Sequence, residues 1–184
     1  MPETPTLNNR LPRPVVIREV GLRDGLQSIA RVLPTAHKLQ WIRAAYDAGL
    51  REMEVGSFVP PRLLPQLADT AEVLAFAQTL PGLVASVLVP NLKGAQRAID
   101  ANAALLLLPL SASHAHSLAN LRRTPDEVVE EIRRIRDLRD AAGSVTRMEA
   151  ETAPAHNYIL GIDFQGDDVW VATAHGLSHG VRLK

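Results

Sequence analysis

Between residues 15 and 143, short apolar runs alternate with amphipathic helical stretches, and this repetition limits the chain to very few architectures. Val15, Val16 and Ile17 open a β-branched run that ends at Gly21, and Met53 to Val59 is a second run of the same kind. The stretch between them, with Thr35 read as N-cap, carries Leu39, Ile42, Ala45 and Tyr46 at spacings of three and four and stops at Gly49. That is one apolar stripe facing a sheet, and strand, helix, strand is a βαβ unit. The pattern recurs. Thr70 is read as the cap of a helix bearing Val73, Leu74 and Ala77, Pro81-Gly82 breaks it, and Leu83 to Val89 predicts a third strand. A third helix follows from about Lys93 to Ala101, and the nearly all-apolar Ala103 to Leu110 predicts a parallel strand buried on both faces. Thr124-Pro125-Asp126-Glu127 then supplies an N-cap hydroxyl, a proline at the first helical position and a capping-box glutamate. Val128, Ile132, Ile135 and Leu138 form that helix's buried stripe, Glu130 and Arg134 pair on its wet face, and Gly143 ends it.

Units of roughly 30 residues match the repeat of a (β/α)8 barrel, which needs about 250 residues in full. With 184 residues the chain has room for about half of one. The expected fold class is therefore α/β: a partial TIM barrel of about four βα units. After Gly143 the period changes. Met148 to His156 reads as loop, and Tyr158 to Phe164 and Val169 to Ala174 alternate as strands joined by Gln165-Gly166-Asp167-Asp168, a β-hairpin pattern. The expected organisation is an N-terminal extension over 1–14, a half barrel over 15–145, and a hairpin tail of different structural origin over 146–184.

Composition removes several function classes. Lys plus Arg and Asp plus Glu are 20 each, so the net charge of zero favours neither nucleic acid nor an anionic membrane, and a small molecule is the default partner. The absence of cysteine excludes disulfides, thiolate metal sites and a cysteine nucleophile. Ala103 to Leu110 is far short of the roughly 18 residues needed to span a bilayer, and Met1 to Pro14 has no apolar core of a secretory signal. These features predict a soluble, cytoplasmic protein.

In parallel α/β folds the C-terminal ends of the strands point into a common site. The first strand ends in Glu19-Val20-Gly21-Leu22-Arg23-Asp24-Gly25-Leu26-Gln27. An Arg beside an Asp is, alone, the pattern of a surface ion pair. The strand-end position and flanking glycines point instead to a site, in which Asp24 offers the hard oxygen preferred by Mg²⁺ or Mn²⁺ and Arg23 a planar donor set for an enolate or carboxylate.

The segment Val16 to Gln27 resembles the first strand and loop of the 3-hydroxy-3-methylglutaryl-CoA (HMG-CoA) lyases, members of the DRE-TIM metallolyases. Glu54-Val55-Gly56-Ser57-Phe58-Val59-Pro60 with Pro65 to Thr70 resembles the second unit. Val87-Leu88-Val89-Pro90-Asn91-Leu92-Lys93-Gly94 resembles the third, and Ser111-Ala112-Ser113 with Ser117 and Asn120 the fourth. The Arg-Asp-Gly-x-Gln core also suits sibling Claisen-type synthases, whereas Glu19-Val20-Gly21 before it and Pro90 to Gly94 favour the lyases. The resemblance implies metal-assisted retro-Claisen cleavage of HMG-CoA to acetoacetate and acetyl-CoA. By motif, Asp24 is implied as ligand to Mg²⁺ or Mn²⁺, Arg23 and Glu54 as the catalytic pair, with Arg23 stabilising the enolate, and Gln27 and Glu54 as groups in or next to that shell that hold ligands and substrate. Ser57, Asn91 and Lys93 are candidates for substrate or CoA contacts, or respectively for a loop cap, a turn and a solvated lysine.

The resemblance also defines what is missing: its later-strand His-x-His pair, an Asn ligand and a loop Cys have no counterpart, so the implied metal site is incomplete. His114-Ala115-His116 has ligand spacing but falls where the resemblance puts a polar loop, and His175 with His179 lies in the tail. Asp167 to Ser178 resembles a strand-turn segment of a β-propeller blade, which points to a truncated or fused chain. Alternatives to a lyase are a non-catalytic remnant or interaction module and a synthase joining acetyl-CoA to a 2-oxo acid. The expected partners are an acyl-CoA, and a second copy or a complementing half-barrel chain, because a half barrel leaves open sheet edges.

Overall fold

The computed structural model describes residues 16–111, 113–153, 159–165, 168–173 and 176–181, with side chains through 149. Its elements run β1 (Arg18–Glu19), α1 (Thr35–Asp47), β2 (Glu52–Ser57), α2 (Thr70–Gln78), β3 (Val84–Leu88), α3 (Leu92–Asp100) and β4 (Leu105–Ser111). They continue with α4 (His114–Leu121), α5 (Pro125–Ala141), β5 (Arg147–Ala153), β6 (Ile159–Gln165), β7 (Asp168–Thr173) and β8 (Gly176–Val181). The first five strands form one parallel sheet in chain order, β1-β2-β3-β4-β5. Strands β6, β7 and β8 form an antiparallel sheet.

The two faces of the parallel sheet are sorted by period-two alternation. Met53 and Val55, Ala85 and Val87, and Leu106 and Leu108 enter the helix-covered core, with Met148 packed against it. Ile42 of α1, Val73, Leu74 and Ala77 of α2, and Ile135 of α5 close that core from the other side. The opposite face carries Arg18, Glu52, Glu54, Ser86, Arg147 and Glu149. Arg18 Nη2 donates to Glu52 Oε2 at 3.3 Å and to Glu149 Oε2 at 2.9 Å. In a flat sheet β1 and β5 would lie about 19 Å apart, beyond the reach of an Arg–Glu pair. The bridge therefore requires a curled sheet with a charged concave face, as in a barrel wall.

Several local expectations hold. Thr124 Oγ1 accepts from Glu127 N at 3.2 Å and Glu127 Oε2 accepts from Thr124 N at 2.7 Å, so the capping box of α5 is complete. Gly49 and Gly143 sit at φ +101° and +60°, the left-handed conformation that ends α1 and α5. Leu105 to Leu108 are at most 2% exposed, as a strand buried on both faces requires.

Other expectations are corrected. The loop reading of Met148 to His156 fails as far as Ala153: Arg147–Ala153 pairs residue by residue with β4 as a fifth parallel strand. The sheet thus runs past residue 145. Its Arg-Met-Glu-Ala-Glu-Thr-Ala sequence lacks a strand-like apolar run because alternate residues face the charged side. The first strand shrinks to Arg18–Glu19, leaving Val16 and Ile17 exposed. Pro34 and Asp69, not Thr35 and Thr70, occupy the N-cap positions of α1 and α2, because both hydroxyls bond elsewhere. His114 and His116 lie in the first turn of α4 rather than in a loop. At i, i+2 on a helix they do not share a face. Glu130 pairs with Arg133 at 3.3 Å instead of Arg134. Residues 1–14, the turn at Gly166-Asp167 and the side chains of His175 and His179 lie outside what is described.

The capping box carries a pH signature. The backbone hydrogen bond from Thr124 holds the Glu127 carboxyl below its ordinary value. A carboxylate depressed in the folded state adds stability that is present above its unfolded pKa and is lost as pH falls through the folded one. Thr124→Ala is expected to cost about 1 kcal/mol at pH 7. Urea midpoints of Glu127→Gln should fall below wild type at pH 7, and the gap should narrow as the pH is taken below the ordinary carboxylate range.

Candidate active site

The site forms where β1 and β2 end. After Glu19 the chain does not continue as strand: Gly21–Gly25 winds into one π-helical turn, and Glu19 Oε1 accepts from Gly21 N at 2.7 Å. A Cβ at position 21 would lie 2.7 Å from Trp41 Cζ2 and closer still to that carboxylate, so the glycine lets both side chains pack against the turn. The turn buries Leu22 in the core and delivers Arg23 and Asp24 to the end of β2.

There Arg23 Nε donates to Glu54 Oε1 at 2.5 Å, with the carboxylate 0% and the guanidinium 8% exposed. Arg23 Nη1 donates to Asp24 Oδ1 at 3.0 Å, and Gln27 Nε2 donates to the same oxygen at 3.0 Å. Asp24 itself is more than half exposed. Four of the predicted residues, Arg23, Asp24, Gln27 and Glu54, are thus one hydrogen-bonded cluster. The Arg23 guanidinium contacts at least these two carboxylates, the buried Glu54 and the exposed Asp24. Charge-assisted hydrogen bonds of this kind fix a planar cation in one orientation.

The remaining candidates do not join the cluster. Ser57 is buried at the end of β2, where its Oγ donates to Leu88 O at 3.0 Å and accepts from Val59 N at 3.3 Å, the bonds of a loop cap. Asn91 is the N-cap of α3, its Oδ1 accepting from Gly94 N at 2.9 Å. Lys93 is exposed in the first turn of that helix. Asn91 also borders a cleft of about 230 Å³ with Asn120, Arg123 and Glu131, which does not include Arg23, Asp24 or Glu54.

Among the described residues there is no group of three or more His, Cys, Asp or Glu side chains able to hold a metal ion. Asp24 fits as one hard oxygen ligand, but the donor set does not complete a shell for Mg²⁺ or Mn²⁺. Sequence reading missed Thr70, whose hydroxyl accepts from Ser57 N at 3.1 Å inside the β2 terminus. The signal was Gly56, because an isolated glycine in a strand marks a bulge or a close approach.

A parallel, curled β/α sheet with a charged concave face, and with Arg23 and Asp24 carried on the loop after its first strand, is the wall of a TIM-barrel enzyme, here a partial one. The chain belongs to the HMGL-like family, whose model matches residues 14–157. It is 36% identical over 159 residues to hydroxymethylglutaryl-CoA lyase, mitochondrial, from Gallus gallus, covering 85% of this chain and 50% of the relative. It is 42% identical over 117 residues to 3-hydroxy-3-methylglutaryl-CoA lyase, cytoplasmic, from Rattus norvegicus, covering 64% and 34% respectively. An HMG-CoA lyase from Acinetobacter baumannii, solved in complex with coenzyme A and 3-methylmalate, superposes with a TM-score of 0.68 at 36% identity, covering 74% of this chain and 44% of that one. The chain spans half or less of the length of these relatives. Among the described residues no helix is long and apolar enough to cross a membrane.

Proposed function

We propose that this chain carries the Arg23–Asp24–Glu54 part of an HMG-CoA lyase site and that its reaction is retro-Claisen cleavage of HMG-CoA to acetoacetate and acetyl-CoA. The observation that carries the reading is the guanidinium fixed between two carboxylates at the ends of β1 and β2, in a chain whose relatives are HMG-CoA lyases. In that reaction the C3 hydroxyl loses its proton and its oxygen becomes the ketone of acetoacetate. The C2–C3 electron pair passes into the thioester enolate, which is protonated at C2 to give acetyl-CoA. Arg23 stabilises the enolate oxygen, and Glu54 holds the guanidinium in place. Gln27 orients Asp24 through Oδ1. Asp24 would serve as one ligand to a divalent cation, Mg²⁺ or Mn²⁺, whose remaining ligands the described residues do not supply. Ser57, Asn91 and Lys93 contact the acyl-CoA at the strand ends. The open edges of β1 and β5 receive a second copy or a complementing half-barrel chain. The protein is cytoplasmic, like its rat relative by that relative's name.

The test is acetyl-CoA release from HMG-CoA by the purified chain with Mg²⁺, beside Asp24→Ala and an EDTA control. Turnover that falls at least about 100-fold in both controls supports the lyase reading. Folded protein without turnover makes the chain a lyase-derived module that does not act alone, and CoA release only with a 2-oxo acid and acetyl-CoA makes it a synthase.

A further inference from the structure

Strand β2 contains an irregularity at its functional end. It pairs with β3 as Glu54↔Ser86 and then Gly56↔Val87, so Val55 is an extra residue in a β-bulge. Val55 lies in the helix-side core, and Gly56 also faces the helix layer, where a Cβ would come within 2.8 Å of Thr70 Cγ2 and closer still to its Oγ1. Two successive helix-facing residues shift the alternation by one. Ser57 then pairs with Leu88 and shares the concave side with Glu54, instead of pointing into the core.

Thr70 occupies the space that Gly56 leaves. It is 3% exposed, its Oγ1 accepts from Ser57 N at 3.1 Å, and its single proton lies between Leu67 O at 2.7 Å and Ser57 O at 3.0 Å. As the first residue of α2, Thr70 reaches back to the bulge and bonds both the amide and the carbonyl of Ser57, the residue that follows it. We propose that Thr70 is a positioning residue: its hydroxyl locks the bulge at Val55-Gly56 and thereby keeps Glu54 and Ser57 on the concave face beside Arg23. Thr70 touches no reacting group; it acts through Ser57 and the strand. The proposal adds to the lyase reading a residue outside the cluster, and its link to turnover rests on that reading.

The test compares Thr70→Val, which keeps the shape and removes the hydroxyl, with Thr70→Ser, which keeps the hydroxyl. The activity-independent readout is hydrogen exchange by NMR at the Ser57 amide and at the Arg23 Nε–H, which is bonded to Glu54. In Thr70→Val both should exchange at least about tenfold faster than in wild type, while amides of α5 change little. Thr70→Ser should match wild type at both positions. Should Thr70→Val fail to fold, Gly56→Ala/Thr70→Ala refills the space without a hydroxyl and should show the same fast exchange. A folded hydroxyl-free variant with wild-type exchange at both sites overturns the proposal, and so does fast exchange in Thr70→Ser. Where HMG-CoA turnover is measurable, Thr70→Val should lower kcat/KM about tenfold, with Thr70→Ser restoring it. A wild-type chain without turnover would sink the lyase reading and leave the exchange comparison to decide the role of Thr70.

Discussion

Arg23→Met is expected to lower stability by about 3–5 kcal/mol, because it removes the guanidinium from a fully buried carboxylate. Glu54 is 0% exposed and takes a 2.5 Å hydrogen bond from Arg23 Nε, so its charge is held inside the fold by that cation. Adding Glu54→Leu to Arg23→Met should return most of the lost stability, since an apolar pair of similar volume replaces a buried ion pair at little net cost. Turnover behaves differently. Each single variant and the double variant should lose at least about 100-fold in HMG-CoA cleavage, the scale for removing one preorganised donor at a developing oxyanion. Urea midpoints for the three variants, measured beside turnover, separate the two roles. A wild-type midpoint in Arg23→Met would show that the pair does not hold the β1–β2 end together. Recovery of turnover in the double variant would remove Arg23 from the chemistry.

The second large effect lies away from the site. Asp69→Ala should also destabilise by about 3–5 kcal/mol, because Lys38 is a buried ammonium that relies on it. Lys38 is 2% exposed, and its Nζ donates to Asp69 Oδ1 at 2.5 Å and to Gln66 O at 2.6 Å. Asp69 Oδ2 in turn accepts from Thr35 Oγ1 at 2.8 Å, so the aspartate ties the start of α1 to the start of α2. The reverse substitution, Lys38→Met, should be clearly milder. It leaves behind a carboxylate that is one-fifth exposed and still bonded to Thr35, whereas Asp69→Ala leaves a buried cation. Thermal melts of the two variants test this asymmetry, and equal losses would contradict it.

The parts of the fold that were legible in the sequence are those whose signal is local. The capping box at Thr124, the stripe of α5 and the leucine run of β4 each follow from a few consecutive residues. What escaped depends on partners far along the chain. Lys38 is not among the apolar residues that mark the stripe of α1, and its contact with the segment 66–69 is what makes it an interior group. Strand β5 reads as loop because Arg147 and Glu149 turn toward charges on β1 and β2, which no local window contains. The site divides in the same way. Arg23, Asp24, Gln27 and Glu54 were named from their motif, and they meet in the fold. The π-helical turn that carries two of them, and the bulge that Thr70 fills, are backbone irregularities without a residue code of their own.

The bridge from Arg18 to Glu149 joins residues 131 positions apart, and this has a consequence for the newborn chain. At the usual pace of translation, Glu149 is made roughly 7–26 s after Arg18. Throughout that interval β1, with only two paired residues and exposed Val16 and Ile17 beside it, lacks its clasp on the far side of the sheet. The loop bearing Arg23 and Asp24 meets Glu54 only 31 residues further on, long before β1 gains its clasp, and a pause before residue 149 would prolong the exposure of β1 to chaperones and proteases.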